Sequence, residues 1–503
     1  MKDQNKIMRR PIINWLIVML VIVLFACLAL FVSQKALASG KELSSVTKPI
    51  TKVNDLKENI DYFEETGELT NENVIHELKI HLTAVEHFEN NNKLTKVIKH
   101  LDGFNELLKH QIENGQISEK VYRQLKSNTA KLIKETKIKN EEPKLMVYYR
   151  AWRDVTMQGV NTDLPDENQM SMDDIPYGVD IVNVFSFVPE GEEDQAAPFF
   201  EELKDTYVPN LHERGMKVTT AIDYRDLVDG IEYVGETPTE EEYDKYAQEI
   251  LEEKVYAYNL DGLDIDMEFY PTTEEVEISD GIIKALSKYI GPKGEEGTLL
   301  VYDTNGSNLD PFENIADSFT YLGYQQYGSD SERTESAIAD YEDVFPKGRF
   351  MPGLAFPEEQ DYNNRWYDAE EPYEKSNIKN IAEYVYENDL YGMFLYALDR
   401  DGRTYEEEDL NHVKPTNLLW TKTAILEVKG YSLDESKELA VHHWNRVQEL
   451  DGEKDETIQK IHDATSIYEV NKVLLGSSDN FEKDAASLEY DPLYEEILIE
   501  NEQ

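Results

Sequence analysis

Apolar side chains recur at two different spacings along this chain, and the change falls near residue 140. Val74, Leu78, Ile80, Leu82, Val85 and Phe88 recur mostly at steps of three and four, as do Val97, Leu101, Phe104, Leu107 and Leu108. That spacing lays one apolar stripe along a helix. A third run, Val121, Leu125, Ala130 and Leu132, follows Gly115 and Ser118, a break and a cap, and ends in a Lys-rich turn. Residues 41–140 therefore read as a small three-helix module. From Lys144 the pattern becomes short apolar, β-branched or aromatic runs at 145–149, 179–187, 217–222, 262–269, 299–303, 319–325, 349–355 and 392–398. Amphipathic stretches at 199–214, 241–258, 282–290 and 378–387 separate several of them. Eight strands alternating with helices over about 280 residues predict an α/β fold, a (β/α)8 TIM barrel at 143–430 with 418–428 as its closing helix. Residues 431–503 are acidic, helical in pattern at 434–450 and 457–467, then polar, and read as a helical C-terminal extension with a tail.

Charge and composition refine this division. Lys2, Lys6, Arg9 and Arg10 precede an uncharged run at 11–32, and Ala36-Leu37-Ala38 follows as a small-x-small pattern that a signal peptidase can cut. As a helix the run would span about 33 Å, close to the hydrocarbon thickness of a bilayer. Residues 1–40 are thus expected to be a signal peptide or membrane anchor, and the rest to lie outside the cell, secreted or held at its surface. The chain has 102 Asp and Glu against 50 Lys and Arg, a net charge of −52. Such a charge repels phosphate backbones and excludes a nucleic-acid binder. Residues 41–140 carry sixteen side chains of each sign, so the acidic excess belongs to residues 141–503 and a domain boundary is expected near 140. The sole cysteine is Cys27, inside the apolar run, which leaves the folded part without a disulfide, a Cys-ligated zinc site or a cysteine nucleophile. His212 is the one histidine between Lys144 and Arg400, which argues against a His-based triad or a His-rich metal site there.

Candidate chemistry concentrates in Leu260-Asp261-Gly262-Leu263-Asp264-Ile265-Asp266-Met267-Glu268-Phe269. Successive side chains on a strand alternate faces, so Asp264, Asp266 and Glu268 share one face while Leu263, Ile265 and Met267 share the other. A solvated acidic loop has no reason to show this period of two. Three like charges aimed into a barrel raise one another's pKa and are costly as structure, but they suit an acid–base site. Glu268, last in the row, would stand at the carboxyl end of its strand, where barrel enzymes keep their sites. It is expected to be a protonated general acid, its pKa lifted by Asp266 and by burial.

Asp261, Asp264, Asp266 and Glu268 together match the Asp-x-x-Asp-x-Asp-x-Glu signature of glycoside hydrolase family 18, and the chain resembles that family over about residues 143–420. The resemblance implies that Glu268 protonates the glycosidic oxygen, that Asp266 orients the substrate's own 2-acetamido group for attack, and that Asp264 buffers the charge on Asp266. It implies a retaining reaction on an N-acetylhexosamine, with neither metal nor cofactor. Gln325 and Tyr327 form a Gln-x-Tyr that is similar to the endo-β-N-acetylglucosaminidase branch, where Tyr327 would bond the acetamido carbonyl and Gln325 the same sugar. Tyr396 stands where chitinases place a Trp floor, and Tyr149 and Trp152 near the first strand resemble sugar platforms of the same branch. Thr219-Thr220-Ala221-Ile222-Asp223 departs from the family's Ser-x-Gly-Gly on the third strand. The implied activity is cleavage of the GlcNAc-β-1,4-GlcNAc core of N-linked glycans on glycoproteins. The alternatives are a chitinase-like or muralytic glycosidase, or a glycan-binding lectin on a disabled barrel. The helical module around His81-Leu82-Thr83-Ala84-Val85 and Gly115-Gln116-Ile117-Ser118 resembles FIMAH-type domains, which carry no chemistry.

Overall fold

In the computed structural model the described residues are 50, 52–90, 93–139, 143–162, 164–359, 366–405, 409–447 and 454–476. The apolar run at 11–32, Cys27 and the small-x-small pattern lie outside them, as does the polar tail. No helix among the described residues is long and apolar enough to cross a membrane. Contacts divide the chain into two compact units, Met1–Glu141 and Glu142–Gln503.

The first unit is helical. The three predicted runs form Glu72–Asn90, Leu94–Glu113 and Glu119–Lys139, and a fourth helix, Val53–Glu65, precedes them. Its signal is the same stripe: Val53, Leu56, Ile60 and Phe63 are buried at helical spacing and join Leu78, Leu82, Leu101, Phe104 and Leu125 in one core.

The second unit is a closed barrel of eight parallel strands in chain order. The strands are β1 Lys144–Arg150, β2 Ile181–Phe185, β3 Lys217–Asp223, β4 Gly262–Met267, β5 Leu299–Thr304, β6 Tyr321–Gln325, β7 Phe350–Ala355 and β8 Gly392–Tyr396. All eight coincide with the predicted apolar runs. Alternation sorts their side chains. Leu145 and Val147, or Leu263, Ile265 and Met267, face outward into the apolar layer beneath the helices. Met146, Tyr148, Val301, Tyr321, Met351 and Phe394 fill the interior. Gly353 makes room for this filling, since a Cβ there would lie 1.8 Å from the Phe394 ring.

The covering layer is less regular than an ideal barrel. Among the described residues no α-helix separates β1 from β2 or β5 from β6. The stretches predicted as single helices at 199–214 and 241–258 each contain a π turn, Leu203–Tyr207 and Leu251–Val255. The helix after β4 runs over Thr273–Leu286 rather than 282–290, because Thr272 and Glu275 form a capping box that starts it earlier. Leu419–Val428 is buried along its whole length and closes the barrel. Leu433–Val447, Lys454–Asp463 and Ile467–Gly476 follow. The last of these docks on the barrel through Tyr468, stacked on Tyr373 with ring centroids 4.8 Å apart.

Candidate active site

The acidic row falls on β4 as its alternation requires. Asp264 is fully buried inside the barrel. Its Oδ2 accepts hydrogen bonds from the Tyr148 hydroxyl at 2.5 Å and the Asn183 amide at 2.9 Å, from β1 and β2. Asp266, one pleat nearer the carboxyl end, accepts from Gln325 Nε2 at 3.1 Å. The same Nε2 donates to Asp303 Oδ2 at 2.8 Å. Asp303 lies on β5 directly opposite Asp266 in the strand register and is buried. A Cβ on Gly323 of β6 would come within 2.6 Å of Asp303 Oδ1, so glycine is what admits this carboxyl. Glu268 stands just beyond the end of β4, exposed, with Asn305 Nδ2 3.2 Å from its Oε2.

These carboxyls do not share one environment. Burial, joined by the charge of Asp266, lifts Asp264 above the usual carboxylate range, against the pull of the Tyr148 bond. Burial raises Asp266 as well, reinforced by Asp303 and then Glu268. Asp303 is pushed well up by burial and by Asp264. The expected burial of Glu268 is corrected, since its side chain is exposed. The desolvated carboxyls are the three behind it, because β4 ends at Met267 and carries the next side chain into solvent.

Glu268 and Asp266 line one cavity of about 490 Å³, together with Gln325, Tyr327, Tyr396 and Trp366. Tyr327 and Tyr396 stack at an interplanar angle of 28° with centroids 6.1 Å apart, and Trp366 packs 6.0 Å from Tyr327. Such apolar faces suit a sugar ring. Tyr396 also donates to Glu358 at 3.1 Å, a carboxylate on the same wall. A larger cleft of about 1180 Å³ adjoins at Phe185 and Asp266 and runs along the ends of β2 and β3 past the exposed Phe187. Among the described residues no group of three or more His, Cys, Asp or Glu side chains is arranged to hold a metal ion.

An endo-β-N-acetylglucosaminidase of Bifidobacterium longum subsp. infantis is 51% identical over 370 residues, covering 70% of this chain and 67% of that one. Endo-β-N-acetylglucosaminidase F2 of Elizabethkingia meningoseptica is 32% identical over 286 residues, covering 55% of this chain and 79% of its own. The chain belongs to the endo-β-N-acetylglucosaminidase family. It is a glycoside hydrolase. The TIM-barrel domain family of the endo-β-N-acetylglucosaminidase EndoS matches residues 147–395, and the FIMAH domain family matches residues 53–134. The crystal structure of the apo endo-β-N-acetylglucosaminidase from Cordyceps militaris is 30% identical and superposes with a TM-score of 0.51, covering 58% of this chain and 92% of that one. A mutant of the same fungal endo-β-N-acetylglucosaminidase was crystallised with fucosyl-N-acetylglucosamine-Asn.

Within this endo-β-N-acetylglucosaminidase, six of the nine site residues expected from sequence meet at the carboxyl end of the barrel: Asp264, Asp266, Glu268, Gln325, Tyr327 and Tyr396. Three do not. Asp261 precedes β4 and is tied to His212 Nε2, Lys217 Nζ and the Val218 amide, each at 2.8 Å. At about 3.3 Å per residue, the seven positions between it and Glu268 put it at the other end of the barrel. Tyr149 alternates out of the barrel that Tyr148 enters, and its hydroxyl is spent on Asp154 at 2.6 Å. Trp152 is buried behind Phe185, 5.9 Å away, and lines neither cleft. The sequence reading missed Tyr148, Asn183, Asp303, Asn305 and Trp366. For Asp303 a local signal existed, a carboxylate in step with Leu299 and Val301 on an otherwise apolar strand.

Proposed function

We propose that this enzyme hydrolyses the β-1,4 bond between the two core N-acetylglucosamine residues of N-linked glycans, leaving one sugar on the protein. In this reading Glu268 donates its proton to the glycosidic oxygen as the bond to the anomeric carbon breaks. The acetamido carbonyl oxygen of the non-leaving sugar forms a bond to that carbon, with Asp266 orienting the amide and Asp264 behind it. Tyr327 holds the carbonyl, while Gln325 and Tyr396 contact the same ring. Water then adds at the anomeric carbon, returning its proton to Glu268 and restoring the acetamido group with retained configuration. This is the substrate-assisted scheme of glycoside hydrolase family 18.

The observation that carries the reading is the meeting of Glu268, Asp266, Gln325, Tyr327 and Tyr396 on one open cavity. The glycopeptide fragment bound by the fungal relative supports an asparagine-linked leaving side. We further propose that the apolar run at 11–32 takes the enzyme out of the cytoplasm, released or anchored. Incubating an N-glycosylated protein with the full chain should leave single N-acetylglucosamine on asparagine and a free glycan, read by mass spectrometry. Glu268→Gln should lower kcat by about a hundredfold or more. Cleavage of chitin oligomers without action on glycoproteins would favour the chitinase-like alternative, and binding without turnover would favour a lectin.

A further inference from the structure

Asp303 has no place in the scheme above, yet it is a buried carboxyl set among the reacting groups. From β4 it is faced by Asp264 and Asp266, and by Glu268 just beyond the strand. Tyr148 faces it from β1, Tyr321 and Gln325 from β6, and Tyr327 from beyond β6. None of these is a cation. Among the described residues no Lys or Arg pairs with Asp264, Asp266 or Asp303, whereas Arg150, at the end of β1, pairs with three other carboxylates.

The hydrogen bonds narrow the possibilities. Tyr148 has one hydroxyl proton, and it is committed to Asp264 Oδ2 at 2.5 Å. Asp264 Oδ1 and Asp303 Oδ1 are both buried with no donor. An ionised carboxylate buried with a bare oxygen and no cation is expensive, so the group takes a proton. On the other side, Asp303 Oδ2 and Asp266 Oδ1 claim both hydrogens of the Gln325 amide nitrogen. Two acceptors flanking one nitrogen fix the flip of that amide. Gln325 Oε1 is then the group it offers to the cavity.

We propose that Asp303 is a positioning residue of the hydrolytic site, a neutral carboxyl that clamps Gln325 and through it fixes the orientation of Asp266. The clamp makes Gln325 an acceptor toward the sugar and keeps Asp266 from turning away from the cavity. A second ionised carboxylate at this place would compete with Asp266 for its proton instead of holding it still. This rests on the functional reading above and adds a group to it.

The test compares Asp303→Asn, which mimics the protonated side chain, with Asp303→Ala, which removes the clamp. Asp303→Asn should keep kcat near that of the unsubstituted enzyme. The limb of its kcat–pH profile governed by Asp264 and Asp266 should stay in place, because a neutral carboxyl and a neutral amide leave the same charge beside them. Asp303→Ala should lose on the order of a hundredfold in kcat with little change in KM, as expected for a misoriented group rather than a lost binding contact. Infrared spectra at neutral pH should show a protonated-carboxyl band that weakens in Asp303→Asn, a readout that needs no turnover and no unstable variant. An unchanged band, an Asp303→Asn enzyme as impaired as Asp303→Ala, or an Asp303→Ala enzyme with full kcat would each overturn the proposal. If the unsubstituted chain released no glycan, the functional reading would fail, while the infrared band would still decide whether Asp303 holds a proton.

Discussion

Burial without a cation governs how Asp266 behaves in the folded chain. Its folded pKa lies above the unfolded value, raised by burial and then by Asp303 and Glu268. Its proton therefore favours the folded state at low pH, and that contribution is lost as pH rises through the folded pKa. Asp266→Asn removes the ionising group while keeping an oxygen for Gln325. It should stabilise the protein at pH 8 by at least about 1.4 kcal/mol, the equivalent of one pKa unit, and change little at pH 4. Urea melts at the two pH values measure this, and an equal effect at both would refute it. A site residue whose loss stabilises the fold is the usual mark of strain kept for function. At this scale the sequence was legible where the signal was local. Asp264, Asp266 and Glu268 were recoverable because alternation along one strand is set by the chain itself. Tyr148 and Asn183 were not, since which side chains meet inside a barrel depends on register between strands far apart in sequence, and for Asp303 the alternation gave its face but not its partners. Asp261 was misplaced because it was grouped with the site as a member of the motif, although seven positions along the chain separate it from Glu268.

Among the elements, the mouth of the barrel is tied together by charge. Arg150 ends β1 with an almost fully buried guanidinium. It makes paired hydrogen bonds to Asp399 after β8, at 2.9 and 2.6 Å, and to Glu359 after β7, at 2.8 and 3.1 Å. Although burial opposes it, Arg150, Arg153 and Arg400 hold Glu359 well below the usual carboxylate range. Breaking such a buried network from one side leaves carboxylates with no partner, so Arg150→Met should cost about 3–5 kcal/mol by denaturant unfolding. A loss under about 1 kcal/mol would place the network among weak surface pairs instead. The strands themselves were readable because eight apolar runs of strand length need no tertiary knowledge. The helix after β4 begins ahead of its apolar pattern because the Thr272–Glu275 box, a polar signal, sets its start. The π turns at Leu203–Tyr207 and Leu251–Val255 leave no pattern in side-chain periodicity.

For the whole molecule, the export proposed above rests on the basic, apolar start of the chain and not on the net charge of −52. A basic flank followed by an apolar run is handled by export machinery whatever the charge of the folded part. Cell fractionation should find the full chain in the membrane or the medium, and deletion of residues 2–40 should leave it in the cytoplasm. Recovery of the full chain from the cytoplasm would sink the export proposal. The division near residue 140 was legible from charge alone and agrees with the contact boundary at Glu141. Glu268 stands at the rim, past the end of its strand, while Asp266 and Asp264 lie one and two pleats below. A sugar attached directly to a folded protein projects only a short way from that surface. A proton donor sunk in a tunnel would be blocked by the bulk of the target before touching the scissile oxygen, whereas one on the lip can be brought to it by simple face-to-face approach.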